Sequence, residues 1–200
     1  MRSYTITKVN GAPDWANVPS MPIDTLLWTD CVDVSAAAKI CWDAENLYVR
    51  MEAMEPYIRM EEEGPLAMVC LDSCLEFFFR PTDREEYFNF EINPKGAVWL
   101  GHGRDPASLI RLLPLGGYGM FDIHTELTDT GWVLTYRIPF AFIRQFFPEF
   151  AAGEGVRMRG NAYKCGDKTV KPHFLAWNPI DLPSPAFHCP AFYGELVFGG

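Results

Sequence analysis

The chain has 200 residues, 48% of them hydrophobic and 14% aromatic, which is ample for a sizeable core and excludes a disordered protein. Its 17 basic and 26 acidic residues give a formal charge of −9, which works against binding nucleic acid or an anionic membrane, because both need clustered Lys and Arg. Pro and Gly, 16 of each, are scattered as turn punctuation with no linker, repeat or low-complexity tract, so a single domain over residues 1–200 is expected.

The amino terminus, Met1-Arg2-Ser3-Tyr4-Thr5-Ile6-Thr7, has no long apolar stretch behind its arginine, and no later window approaches a membrane-spanning length. A cytoplasmic protein is therefore expected, with Cys31, Cys41, Cys70, Cys74, Cys165 and Cys189 reduced. Lys39–Trp42 and Leu47–Ala53 read as strands joined by a turn at Asp43–Asn46, and the second alternates strictly, so one of its faces is buried. A longer strand is expected from Met68 to Arg80. Leu71, Ser73, Leu75, Phe77 and Phe79 share one side of it, and Cys70, Asp72, Cys74, Glu76 and Phe78 the other. Pro81–Glu86 is a hairpin loop, and Tyr87–Asn93 returns antiparallel with Phe88, Phe90 and Ile92 inward. Gly116–Gly119 is a flexible loop with no helix after it, so it is not a phosphate cradle. Gly131–Ile138 is a further strand ended by Pro139, Phe140–Phe147 reads as a short helix stopped by Pro148, and Val156–Tyr163 alternates again. Many short strands with turn signals between them predict an all-β fold. The expected form is an antiparallel β-sandwich of jelly-roll or immunoglobulin-like two-sheet architecture, with one short helix and one wet face per strand.

The hairpin register sets Glu76 near Glu91 and Asp72 near the turn at Pro94-Lys95. Like charges facing each other on a sheet cost from a few tenths to about 1 kcal/mol, so a cation or a basic side chain should compensate. Arg159 is the expected one, because Val156–Tyr163 carries Arg157, Arg159, Asn161 and Tyr163 on one side. Carboxylates, guanidinium groups, amides and a phenol on one face suit a sugar. Each hydroxyl both donates and accepts, and a ring covers the apolar C–H face of a pyranose. The alternative is a solvated face carrying surface ion pairs worth roughly 0–1 kcal/mol each.

Asp72-Ser73-Cys74-Leu75-Glu76-Phe77-Phe78-Phe79, followed by Tyr87–Asn93 and Gly96, resembles the core of the family 9 carbohydrate-binding modules, and most of all the stand-alone proteins similar to them. Downstream pieces agree in order: Gly131-Trp132, Ile138-Pro139, Arg159–Cys165, Pro172-His173-Phe174, Trp177-Asn178-Pro179, Phe187–Pro190 and Phe192–Leu196. The resemblance runs from Ala38 to Phe198. It implies a β-sandwich with no catalysis of its own, linked to carbohydrate catabolism. It also implies a site with aromatic walls for a mono- or oligosaccharide, no required cofactor and, in many members, structural calcium. Carried over by position, Glu76 is the acidic residue ending the motif that starts at Asp72-Ser73, Asn93 closes the next strand, and Trp177 is the late aromatic wall. Glu91, Arg159, Asn161, Tyr163 and His173 complete the expected sugar-binding set. Two positions depart from the family pattern. Met68-Val69-Cys70 stands where better-studied members place a Trp, and Glu91 where they tend to carry an Arg.

Two further readings compete. Glu76 and Glu91 are candidates for the carboxylate pair of a glycoside hydrolase, and the sandwich is otherwise an interaction module that has lost sugar binding. A zinc site from Cys70, Cys74, Cys165, His173, His188 and Cys189 lacks C-x-x-C or H-x-x-x-H spacing, so ordinary packing is expected of those residues.

Overall fold

Alternating apolar residues write most of the strands, and the computed structural model describes the chain from Met1 to Gly200. The first half contains β1 (Ser3–Lys8), β2 (Met21–Ile23), β3 (Thr25–Leu27), β4 (Ser35–Trp42), β5 (Asn46–Met54), β6 (Cys74–Arg80) and β7 (Tyr87–Ile92). The second contains β8 (Val98–Gly103), β9 (Ile110–Arg111), β10 (His124–Thr128), β11 (Gly131–Pro139), β12 (Arg157–Cys165), β13 (Phe174–Ala176) and β14 (Gly194–Phe198). One α-helix, α1 (Phe140–Phe146), follows β11 and ends before Pro148, as its sequence predicts. None of the helices is long and apolar enough to cross a membrane.

The strands follow one curled path, β10-β11-β5-β4-β1-β14-β12-β6-β7-β8-β9, with β2, β3 and β13 attached beside it. The expected antiparallel pairing holds except at β1, which makes the sheet mixed. Ser3–Ile6 run parallel to β14, and Thr7 and Lys8 run parallel to β4. By changing partner halfway, β1 carries the sheet from one half to the other. The two halves face each other over the main core. Ile40, Val49, Met51, Leu134 and Tyr136 come from one side; Leu75, Phe77, Phe79, Phe88 and Phe90 come from the other. The Phe90 ring stacks on Tyr136 across this interface, with centroids 5.7 Å apart.

Two expectations need correction. The strand read from Met68 begins only at Cys74, because Val69–Leu71 forms a 3-10 turn. Asp72 causes the break: its carboxylate pairs with Arg59 and accepts the backbone N–H groups of Glu61 at 3.0 Å and Glu62 at 2.9 Å. A strand partner for Asp72 gives way to a side-chain anchor for the preceding loop. The second correction concerns the wet faces. β6 and β7 are buried on both sides, because residues 177–193 fold back over their outer face. Phe78, Tyr87, Tyr163 and Tyr193 form a smaller apolar cluster under that cover.

Candidate functional site

The outer face of β6, β7 and β12 opens at one place, a cavity of about 220 Å³. The hairpin register puts Glu76 opposite Glu91, as expected from the sequence, and both side chains line the cavity with Asp167. Aromatic rings form the facing wall. Trp28 meets Phe174 edge-on and tilts against Phe187, each at a centroid separation of 5.8 Å. The Trp28 indole N–H donates to the Leu182 carbonyl at 2.7 Å, which ties the covering segment down. His188 closes one end. Its Nδ1 lies 2.9 Å from the Tyr87 hydroxyl, and its Nε2 lies 3.8 Å from Glu91 Oε1. Cys70 and Cys165 border the remaining side. A wider groove of about 720 Å³ runs along Glu63–Pro65 and Lys95–Val98, but apart from Val98 it is lined by residues outside the strands and has no comparable group of buried acids.

Burial sets the electrostatics of the cavity. Loss of water pushes Glu76 up to about 7, against a thiol hydrogen bond from Cys165 that lowers it. Glu91 is pushed well above the usual carboxylate range by burial first and by the Glu76 charge second, while Asn89 Nδ2 donates to it at 2.8 Å. Burial also raises Asp167 and lowers His188 to about 4. A protonated carboxyl donates as well as accepts, so these acids offer both functions to a ligand.

The cavity contains two of the eight predicted site residues, Glu76 and Glu91. The other six lie outside it. Trp177 is 3% exposed in the main core, and a Cβ at Gly194 would lie 2.4 Å from its ring. On β13 the positions alternate, so Phe174 reaches the outer face while Leu175 and Trp177 turn inward; Phe174 is paired opposite Cys165. Asn93 is buried and committed to its turn. It donates to Asp72 at 2.8 Å and to the Glu62 carbonyl at 2.9 Å, and it accepts from Lys95 and Ala97. Asn161 is equally committed to Asn178, accepting its N–H and donating to its carbonyl, both at 2.8 Å. Tyr163 is covered by the Phe187 ring, stacked at 4.2 Å.

Arg159 sits four positions before Tyr163 on β12, opposite Arg80, and donates to the Tyr193 carbonyl at 3.0 Å, so it does not compensate the Glu76–Glu91 pair. His173 faces a buried ionic group on the inner side. Lys164 Nζ lies 3.1 Å from Glu55 Oε1 and donates to His173 Nε2 at 2.8 Å. Ser73 and Trp132 donate to the same Glu55 carboxylate. Trp28, Asp167, Phe174, Phe187 and His188 escape sequence reasoning. Phe174, Phe187 and His188 carried a signal, since they fall in the motif pieces Pro172-His173-Phe174 and Phe187–Pro190, while Trp28 and Asp167 carried none.

The model of carbohydrate-binding family 9 matches residues 8–198. A crystal structure of a candidate carbohydrate-binding protein from Bacteroides uniformis is similar at 30% identity, with a TM-score of 0.85 over 98% of this chain and 99% of that one. A family 9 module from Caldicellulosiruptor kristjanssonii in complex with glucose shares the fold at 15% identity, with a TM-score of 0.70 over 100% of this chain and 96% of that one. The same organism's module in complex with cellotriose gives 0.68 at 15% identity, covering 100% and 94%. Among curated proteins, none matches the chain.

Proposed function

The chain belongs to carbohydrate-binding family 9, and from that membership we propose that it binds a carbohydrate without catalysis, one sugar unit seated above Glu76 and Glu91. On this reading the curled sheet acts as the two-layer sandwich expected from the sequence, with one layer carrying the site. The observation that carries the proposal is the pairing of an aromatic wall with buried acids in one cavity. Trp28, Phe174 and Phe187 suit the C–H face of a ring, while Glu91, Asp167 and His188 meet its hydroxyls. A volume of about 220 Å³ lies below the roughly 300–1,000 Å³ of sites for drug-sized ligands, so a terminal unit fits and a longer stretch does not.

The upward-shifted pKa of Glu76 and Glu91, which keeps a proton available to donate, is the one feature that favours a hydrolase. Both side chains rise from one floor, directly opposite in register, which suits holding one unit from below better than flanking a glycosidic bond. Both side chains are buried, so solvent does not hold them ionised. The geometry is the reason for expecting no turnover.

Calorimetric titration with glucose and cellotriose, beside a glycan array, tests the proposal. Trp28→Ala and Asp167→Ala should each lose on the order of 1–3 kcal/mol of affinity, with aryl-glycosides left uncleaved. No binding to any mono- or oligosaccharide would overturn the reading, as would hydrolysis that vanishes in Glu76→Gln.

A further inference from the structure

One group of ligand-type side chains serves no purpose in the sugar reading as a group: Glu76 and Cys165 line the cavity, and Cys74 is fully buried beside them. Cys74 and Glu76 are two residues apart on β6 and point to the same side, and Cys165 of β12 is paired directly opposite Cys74. Their two Sγ atoms and one carboxylate oxygen lie within 4.8 Å of one another, and all three residues are buried. No other three His, Cys, Asp or Glu residues in the chain converge in this way. The Cys165 thiol donates to Glu76 Oε1 at 3.0 Å, but no Arg or Lys pairs with that carboxylate. The neighbouring Lys164 turns to the opposite face and is taken by Glu55. A buried carboxyl held by a weak thiol donor is a costly arrangement unless something else engages it.

We propose that Cys74, Cys165 and Glu76 form a three-ligand site for a thiophilic divalent cation of the zinc class, with its fourth coordination position open to the cavity. The donor set selects the metal, since thiolates favour zinc over calcium or magnesium, which take oxygen ligands. The geometry is close to what the ion needs. Bonds of about 2.3 Å to sulfur and 2.0–2.2 Å to oxygen set tetrahedral edges of about 3.5–3.8 Å. Separations capped at 4.8 Å bracket those edges from above, and the 3.0 Å thiol–carboxylate contact lies just below. Side-chain adjustment is sufficient, because both cysteines already sit on paired strand positions. Both thiol protons leave as the thiolates bind, and two thiolates with one carboxylate over-neutralise the ion by one charge.

Cobalt supplies the test. The full chain, reduced and freed of metal with a chelator, is titrated with Co²⁺ alone. A thiolate-to-cobalt charge-transfer band should grow to one equivalent and be bleached by Zn²⁺. Cys74→Ala and Cys165→Ala should each abolish the band, Glu76→Gln should weaken cobalt binding at least tenfold, and Cys31→Ala should leave it intact. Circular dichroism checks that each variant folds. X-ray absorption of the zinc-loaded wild type needs no variant and should report two sulfur neighbours. Absence of the band, its survival in both cysteine variants, or a Cys74–Cys165 disulfide with no cobalt binding after reduction would overturn the site. The sugar reading stands separately. Sugar binding without cobalt binding removes only the metal site, and cobalt binding without sugar binding removes only the sugar proposal.

Discussion

Asp72, Asn93 and Glu76 belong to one stretch of motif, yet their side chains do different work. Asp72 and Asn93 bond each other and the backbone of the loop before β6, leaving nothing for a ligand. Glu76 has only the Cys165 thiol and the cavity before it. The same division separates the two tryptophans. Trp177 packs in the main core and Trp28 faces the cavity. Trp177→Ala should therefore destabilise the protein by about 3–5 kcal/mol in urea unfolding, the usual cost of removing a large buried ring. Trp28→Ala should act chiefly on affinity. A Trp177→Ala protein as stable as wild type would contradict its place in the core.

At the scale of elements, strand parity decides which residues meet. β12 sends Tyr163 and Cys165 outward and Lys164 inward, so a lysine between two outward residues ends in a buried ionic group with Glu55 and His173. Close approach of strands matters as much as parity. Gly131 opens β11 opposite Met54, and a Cβ built there would lie 1.9 Å from the Ala53 carbonyl oxygen. Gly131→Ala must push β11 away from β5, since backbone cannot give way as a flexible side chain can. A loss of at least about 1–3 kcal/mol is expected in thermal or chemical denaturation. An alanine variant that melts with the wild type would show that this pairing relaxes freely.

Across the whole molecule, buried titratable groups pull stability in opposite directions. Burial first and the Lys164 charge second lower His173 to about 4, below its ordinary 6.5. Its Nδ1–H donates to the Lys171 carbonyl and its Nε2 accepts from Lys164, which fixes the neutral ring. The unfolded chain takes up a proton at this position as the pH falls through 6.5, and the native chain does not. The contribution of His173 is thus present above pH 6.5 and declines toward pH 4, by up to about 1.4 kcal/mol per pH unit. Glu76, Glu91 and Asp167, all raised, gain over the same fall in pH and mask the effect in the total. Comparison with His173→Gln isolates it. The stability deficit of the variant should shrink between pH 6.5 and 4.5, and a constant deficit would refute the lowered value.

Period-two alternation in Leu47–Ala53, Tyr87–Asn93 and Gly131–Ile138 was enough to define strands, and Pro148 to end the helix, because these depend on neighbours along the chain. The Glu76–Glu91 pairing was legible for the same reason, since a short hairpin fixes its own register. Tertiary structure alone decided that residues 177–193 cover the outer face, burying Asn161 and Tyr163 and leaving one cavity. It also brought Trp28, Phe174 and Phe187 together and set Cys165 against Cys74 and Glu76. Those contacts join residues far apart in sequence, and a pattern of period two records which side a residue faces but not what will lie against it.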